Sequence, residues 1–373
     1  MKSLISRSTI VFTHDDRTKQ EGLYKIDLRN GEATRLVESD ECYTCTNALE
    51  GHFAAGTDDG NLLAYIAEAA GHPAEIRLSA KDLEKPRQLT RLNPKLDQYQ
   101  MGVAKLIDWL DDDGKRLRGA LLLPSNYREG KRYPLVVFVY GGENLSDTVN
   151  QFGGPMSDAL PYYNLQLLAT RGYAVLVPDA PQQEGTPMLD LAKTILPGVN
   201  KMIELGVADP DRLGVMGHSY GGYSTLSLLV ETNRFKAAVE SAGPADLVGN
   251  YGEMDSDGTA FGTSVEETGQ GLMGGTPWEH RERYIENSPV FYFDRMTTPL
   301  LVVHGAQDTT VATFLGDQIF VSLRRLGREV EYARYEGEGH IILGDANRRD
   351  VCNRMIEWFD RHLKGPEETA TSP

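Results

Sequence analysis

Ser219 stands in the run Gly217-His218-Ser219-Tyr220-Gly221-Gly222, directly after the apolar stretch Leu213-Gly214-Val215-Met216. An apolar segment, Thr225-Leu226-Ser227-Leu228-Leu229-Val230, follows it. A G-x-S-x-G pattern between a buried strand and a helix predicts a nucleophile elbow. Its tight turn forces strained backbone angles on the serine, so the neighbours must lack bulk, which accounts for Gly217 and Gly221. The hydroxyl then stands at the N-terminus of the following helix, where free amide hydrogens favour developing negative charge.

The surrounding chain reads in the same way. From about Val103 onward, buried-strand candidates (117–123, 135–140, 174–178, 213–216, 237–240, 300–303, 330–335) alternate with helical stretches near 159–170, 189–204, 220–232, 313–326 and 346–363. Such alternation predicts a mostly parallel sheet covered by helices on both faces, an α/β fold. Residues 251–283, rich in Gly, Glu and Thr, interrupt the rhythm and read as an excursion of the lid or substrate-facing kind.

Upstream the pattern differs. Short alternating segments (9–12, 23–28, 62–66, 75–78) with hairpin-type turns at Arg29-Asn30-Gly31 and Asp58-Asp59-Gly60 predict antiparallel strands. A weak repeat relates the strand at Ile26 to that at Ile76, an offset of 50 residues that suits a propeller blade. Only about two blades fit, fewer than the four needed to close a ring. The expected organisation is therefore a β-rich, propeller-like remnant over 1–100, a catalytic domain over 101–365 and a disordered tail over 366–373.

Charge and composition exclude several classes. The 373 residues carry a net charge of −16 and no basic stripe to neutralise phosphates, which argues against nucleic acid as partner. No run of about 18 apolar residues predicts a membrane span. The first seven residues lack the apolar core of a secretion signal. Cys42 and Cys45 form a lone C-x-x-C with only His52 nearby as a further metal ligand, and Cys352 lies in a late amphipathic segment. They read as ordinary thiols without a disulfide framework, which fits a reducing, cytoplasmic location.

A serine hydroxyl needs a base, and the base an orienting carboxylate. In α/β-hydrolases these follow the serine in the order acid, then histidine, on loops beyond strand ends. Asp308, in His304-Gly305-Ala306-Gln307-Asp308 after the apolar strand at 300–303, and His340, in Glu336-Gly337-Glu338-Gly339-His340 after the next strand, fit that order. His304 reads as a structural hydrogen-bonding residue and His218 as facing a neighbouring loop. Asp294 and Asp317 sit outside the relevant loop. An oxyanion hole needs two donors. One is expected from the backbone N–H of Tyr220; the other from Tyr140-Gly141-Gly142, through either the Tyr140 hydroxyl or a backbone amide.

With these residues in view, the chain resembles the prolyl oligopeptidase family of serine peptidases, and within it the acylaminoacyl-peptidase-like bacterial branch. The resemblance rests on Gly217-His218-Ser219-Tyr220-Gly221-Gly222-Tyr223, on His304-Gly305-Ala306-Gln307-Asp308-Thr309-Thr310-Val311 and on Gly337-Glu338-Gly339-His340. Ala208 to Val215 and Ser288 to Phe293 support it, so that it spans roughly residues 100–365. His72-Pro73-Ala74-Glu75 with Arg87-Gln88-Leu89-Thr90 resembles a last propeller blade of that family. The resemblance implies an α/β-hydrolase fold with Ser219 as nucleophile, His340 as base and Asp308 as its orienter. Tyr140 matches a tyrosine that several branches use as an oxyanion donor.

Relatives carry a complete propeller that screens substrates by size. Here only a remnant is read, so the sequence is either a piece of a longer polypeptide or a shortened enzyme with an open site. The expected activity is hydrolysis of acyl esters or amides, acylated amino acids or short peptides through an acyl-enzyme, with no metal or organic cofactor. A carboxylesterase with little peptidase activity is the alternative within the class, and a non-catalytic binding or assembly module the alternative outside it. The exposed edges of an incomplete β-domain point to a homo-oligomer.

Overall fold

The computed structural model describes residues 8–44, 54–57, 61–80, 85–157, 159–254 and 258–365. The turn expected at residues 58–60, Cys45 and the tail at 366–373 lie outside them.

The upstream part forms two antiparallel sheets. One holds β1 (Ser8–His14), β2 (Glu21–Asp27) and β3 (Ala33–Ser39); the other β4 (Ala54–Gly56), β5 (Leu62–Ala69), β6 (His72–Ala80) and β7 (Arg87–Gln88). The turn between β2 and β3 needs the left-handed backbone that glycine tolerates, and Gly31 supplies it at φ 74°. Ile26 and Ile76 each occupy an inner strand of successive sheets. Leu23, Tyr43, Leu63, Tyr65 and Ala67 form a small core of their own.

This part is pinned to the rest by a buried lysine. Lys19 is 2% exposed, and its Nζ lies 2.6 Å from Asp147 Oδ1 and 2.7 Å from Asp16 Oδ1. Burial works to lower the Lys19 pKa, but the two carboxylates outweigh it and raise it, so the ammonium stays charged.

The main sheet has eight strands: β8 (Val103–Leu110), β9 (Arg116–Leu123), β10 (Tyr133–Phe138), β11 (Ala174–Pro178), β12 (Ala208–His218), β13 (Ala237–Ser241), β14 (Leu300–Gly305) and β15 (Val330–Tyr335), in the order β15-β14-β13-β12-β10-β11-β9-β8. The six strands from β15 to β11 are parallel, while β9 and β8 run antiparallel at one edge. The apolar runs at β10, β11 and β14 are buried along their whole length, as a sheet covered on both sides requires.

Alternate residues feed two cores. Val137, Val215 and Val302 point towards α2 (Pro187–Glu204), α3 (Tyr220–Glu231) and α7 (Thr313–Arg325), after the four-residue α1 (Gln166–Ala169). Val136, Met216 and Val303 point to the other side, against Leu168 and Ala169 of α1 and against Trp358 and Phe359 of α8 (Asp345–Leu363). Between β13 and β14 the chain makes α4 (Leu247–Tyr251), α5 (Phe261–Glu267) and α6 (Arg281–Glu286), the excursion expected at 251–283. The whole is an α/β-hydrolase fold with a β-rich N-terminal part.

Three local expectations need correction. The helix expected over 159–170 is broken: Pro161–Tyr163 is a single 3₁₀ turn and only Gln166–Ala169 is α-helical. Asn164 diverts the backbone there, because its side chain accepts from Gln166 N (3.0 Å), a local competitor to the helix ladder. The edge strand β8 extends the sheet upstream of the first strand expected. Cys42 is disulfide-bonded rather than an ordinary thiol, which removes the basis for inferring a reducing compartment from free thiols; Cys352 is free. No helix among the described residues is long and apolar enough to cross a membrane.

Candidate active site

Ser219 closes β12 at the carboxyl ends of the parallel strands, with φ 58° and ψ −124°. A non-glycine residue at such angles is strained. What holds it is the fit of strand to helix. A Cβ on Gly217 would lie 2.2 Å from Gly221 O and 2.7 Å from Val139 O, and one on Gly221 would lie 2.4 Å from Val139 O. The glycines of the motif are thus demanded by close approach of backbones. The Ser219 amide donates to Ser241 O at 2.8 Å, and Gly222 N returns to Ser219 O at 2.8 Å.

Three expected side chains meet in one hydrogen-bonded chain. Ser219 Oγ lies 2.9 Å from His340 Nε2, and His340 Nδ1 lies 2.8 Å from Asp308 Oδ2. The other carboxylate oxygen of Asp308 accepts from Thr310 N (2.8 Å) and Val311 N (3.0 Å), which fixes the orientation of the group. Burial works to raise the Asp308 pKa, but hydrogen bonds from His304, His340 and Val311 outweigh it and hold the carboxyl well below its ordinary range. Asp308 is therefore an anion next to the imidazole. With Nδ1–H committed to that anion, His340 Nε2 is left to accept the serine proton.

Tyr220 opens α3, and first-turn amides have no partner within their own helix. Beyond β10, two backbone amides of the loop are already engaged: Gly141 N donates to Ser224 Oγ (3.0 Å) and Gly142 N to Ala180 O (2.8 Å). The Tyr140 hydroxyl belongs to the same loop and is held by Gln270, whose Nε2 donates to it at 3.0 Å and whose Oε1 accepts from it at 3.4 Å. Burial raises the Tyr140 pKa, with Gln270 and Ser219 partly offsetting it, so the phenol keeps its proton at neutral pH.

Several neighbours were not legible as site residues. Gln270 lies in the segment after α5 and reaches Tyr140 only because that excursion folds back over the strand ends. Glu266 of α5 is 1% exposed, receives Asn250 Nδ2 at 2.7 Å, and its pKa is pushed up to about 8 by burial. His218 faces β13 rather than a loop: it is 2% exposed, 3.1 Å from Ser241 Oγ, with its ring 4.8 Å from that of His340. Burial pushes its pKa well down, so it is a neutral ring beside the base. No cluster of three or more metal-ligating side chains occurs among the described residues.

Residues 191–366 match the prolyl oligopeptidase family. The chain is 25% identical over 327 residues to an uncharacterized peptidase, YuxL, of Bacillus subtilis, covering 83% of this chain and 47% of that protein. It is 26% identical to dipeptidyl-peptidase 5 of Porphyromonas endodontalis, covering 69% of this chain and 37% of the relative. It thus spans less than half the length of these curated relatives. Among solved structures, the acylaminoacyl peptidase of Pyrococcus horikoshii superposes with a TM-score of 0.75 at 23% identity, over 96% of this chain and 55% of that one.

Proposed function

From a serine hydrolase of the prolyl oligopeptidase family as premise, we propose a peptidase that cleaves short peptides or acylated amino acids through an acyl-enzyme on Ser219. The observation that carries this reading is the unbroken chain Ser219–His340–Asp308 at the strained elbow. His340 Nε2 takes the hydroxyl proton as Ser219 Oγ adds to the scissile carbonyl. The carbonyl oxygen becomes an oxyanion that accepts from Tyr220 N–H and the Tyr140 hydroxyl. The tetrahedral intermediate collapses, the C–N or C–O bond breaks, and the leaving group departs with the proton held on His340. Water then repeats the sequence: His340 takes a proton from it as its oxygen adds to the acyl carbon, and the C–Oγ bond breaks with that proton returned from His340 to Ser219 Oγ, which releases the acid product and restores the serine. Asp308 keeps the imidazole in the required tautomer and offsets its transient positive charge throughout.

The finer substrate preference is a proposal of the same kind. The same acyl-enzyme chemistry leaves esters as competent substrates beside amides, since addition to the carbonyl does not depend on the leaving atom. Rates on matched p-nitrophenyl esters and acyl-amino-acid p-nitroanilides, with Ser219→Ala as control, test the assignment. Hydrolysis of the anilides, lost in Ser219→Ala, is the expected result. Cleavage of esters alone would favour a carboxylesterase. No turnover in either series would favour a binding module, and activity surviving in Ser219→Ala would overturn the nucleophile assignment.

A further inference from the structure

The excursion between β13 and β14 reaches the oxyanion side of the site through Gln270. Tyr140 stands beside the elbow: its ring lies 6.1 Å from that of Tyr220, and a Cβ on Gly221 would lie 3.2 Å from Tyr140 Cδ2. A phenol so placed can turn its proton about the C–O bond but cannot move its oxygen. Whether that proton reaches an oxyanion depends on the other company the oxygen keeps.

That company is the Gln270 carboxamide. Its Nε2, 3.0 Å from Tyr140 Oη, can only donate, so the phenol oxygen accepts there. Its Oε1 lies 3.4 Å away, beyond the ordinary length of an O–H···O bond. The nearer contact therefore occupies a lone pair of the oxygen, while the phenol proton is only loosely claimed. A hydroxyl that accepts an N–H also becomes a better donor, because hydrogen bonds in series polarise one another. The carboxamide thus fixes Tyr140 Oη and leaves its proton for a third partner.

Gln270 is itself exposed, so its place depends on how the backbone around it is held. After α5 the chain folds back on that helix. Gly269 N donates to Ser264 O and Gly271 N to Val265 O, both at 2.9 Å. Met273 N donates to Glu266 O and Gly274 N to Glu267 O, both at 2.8 Å. Gly185 N, in the loop after β11, donates to Leu272 O at 2.8 Å and ties the turn to the hydrolase sheet. Glu266 lies buried beneath the turn, bound to Asn250 of α4, and a Cβ on Gly271 would collide with its Oε2. The residues on either side of Gln270 are thereby fixed, and its side chain starts from a set position towards Tyr140.

We propose that Gln270 is a positioning residue of the oxyanion hole, which holds the Tyr140 oxygen and leaves the phenol proton to the developing oxyanion. The proposal rests on the assignment of Tyr140 as an oxyanion donor in the preceding subsection. As the oxyanion forms, the Tyr140 O–H turns to it while Gln270 Nε2 stays on Oη, and no proton changes owner. The excursion then does more than border the site, because its turn must be in place for Tyr140 to act.

The test is a double-mutant cycle of Gln270→Leu and Tyr140→Phe, read as kcat and KM on a p-nitrophenyl ester. Residue 270 is exposed, so folding is not at stake in the substitution. Gln270→Leu should lower kcat by roughly 3–10-fold at nearly unchanged KM, the range of one hydrogen bond. In the Tyr140→Phe background the same change should cost nothing further, a coupling that a merely structural side chain would not show. Gln270→Glu should cost more than Gln270→Leu at neutral pH, because a carboxylate accepts the phenol proton and keeps it from the oxyanion. Full kcat in Gln270→Leu beside an impaired Tyr140→Phe overturns the proposal, and so do additive losses in the double variant. Wild-type kcat in Tyr140→Phe removes the premise instead, and locates the error in the catalytic reading.

Discussion

The elbow can be challenged without touching any reacting group, by Gly217→Ala. The added methyl would sit 2.2 Å from Gly221 O, 2.5 Å from Gly221 C and 2.7 Å from Val139 O. All three are backbone atoms of the sheet and of α3, so no side chain can swing aside. To restore ordinary contact the strand end and the helix must separate by about 1 Å, which places the substitution at the upper end of overpacking costs, about 3 kcal/mol. With an unfolding entropy of roughly 2 cal/mol/K per residue over the hydrolase part, that corresponds to a fall in Tm of roughly 5 °C. The displacement falls directly on Ser219, whose Oγ must stay within 2.9 Å of His340 Nε2. A misplacement of about 1 Å costs on the order of 10²-fold in rate. Calorimetry and initial rates on a p-nitrophenyl ester would read both effects. Gly252→Ala is the internal control, because its Cβ would meet nothing closer than 3.7 Å and its φ is −84°. Wild-type rate and Tm in Gly217→Ala would refute the argument that close approach of backbones is what the glycine serves.

Two further substitutions test other parts of the site. Tyr140→Phe removes the hydroxyl held by Gln270 and should lower kcat by about 10²–10³-fold with little change in KM; an unchanged kcat would return the oxyanion role to a backbone amide. Glu266→Gln addresses the buried carboxyl whose pKa is pushed up to about 8. Because this folded-state pKa lies above the unfolded value, the native state binds the extra proton, and wild type loses stability as pH rises from about 4.5 to about 8. The Tm of Glu266→Gln should therefore gain on wild type across that window, and parallel pH profiles would show that Glu266 is not the titrating group.

Much of the molecule was legible locally. The runs at β10, β11 and β14 announced themselves because a strand buried on both faces has no polar positions to interrupt it. Gly217, Ser219 and Gly221 were readable because the elbow's strain and the approach of residue 217 to Gly221 arise within five residues, whereas the approach of both glycines to Val139 comes from the neighbouring strand end. The order of Ser219, Asp308 and His340 followed from each residue's place after an apolar strand. Where a short-range signal was contested, the reading failed. Asn164 breaks the helix expected over 159–170 by capping its own neighbour, and β8, an edge strand with one side open, lacks the apolar density of its partners.

What the sequence determined by itself is the chemistry on offer: a serine at an elbow, an acid and a histidine at later strand ends, and an α/β sheet to carry them. Only the tertiary structure decided which groups answer to one another. Gly141 and Gly142 amides are engaged by Ser224 and Ala180, leaving the Tyr140 hydroxyl to Gln270, 130 residues away. The ring of His304, at the end of β14, has room only because α7 sets Gly316 above it. Periodicity is a property of neighbours along the chain, whereas hydrogen-bond partners and the charge a buried group can carry depend on what packing brings from elsewhere.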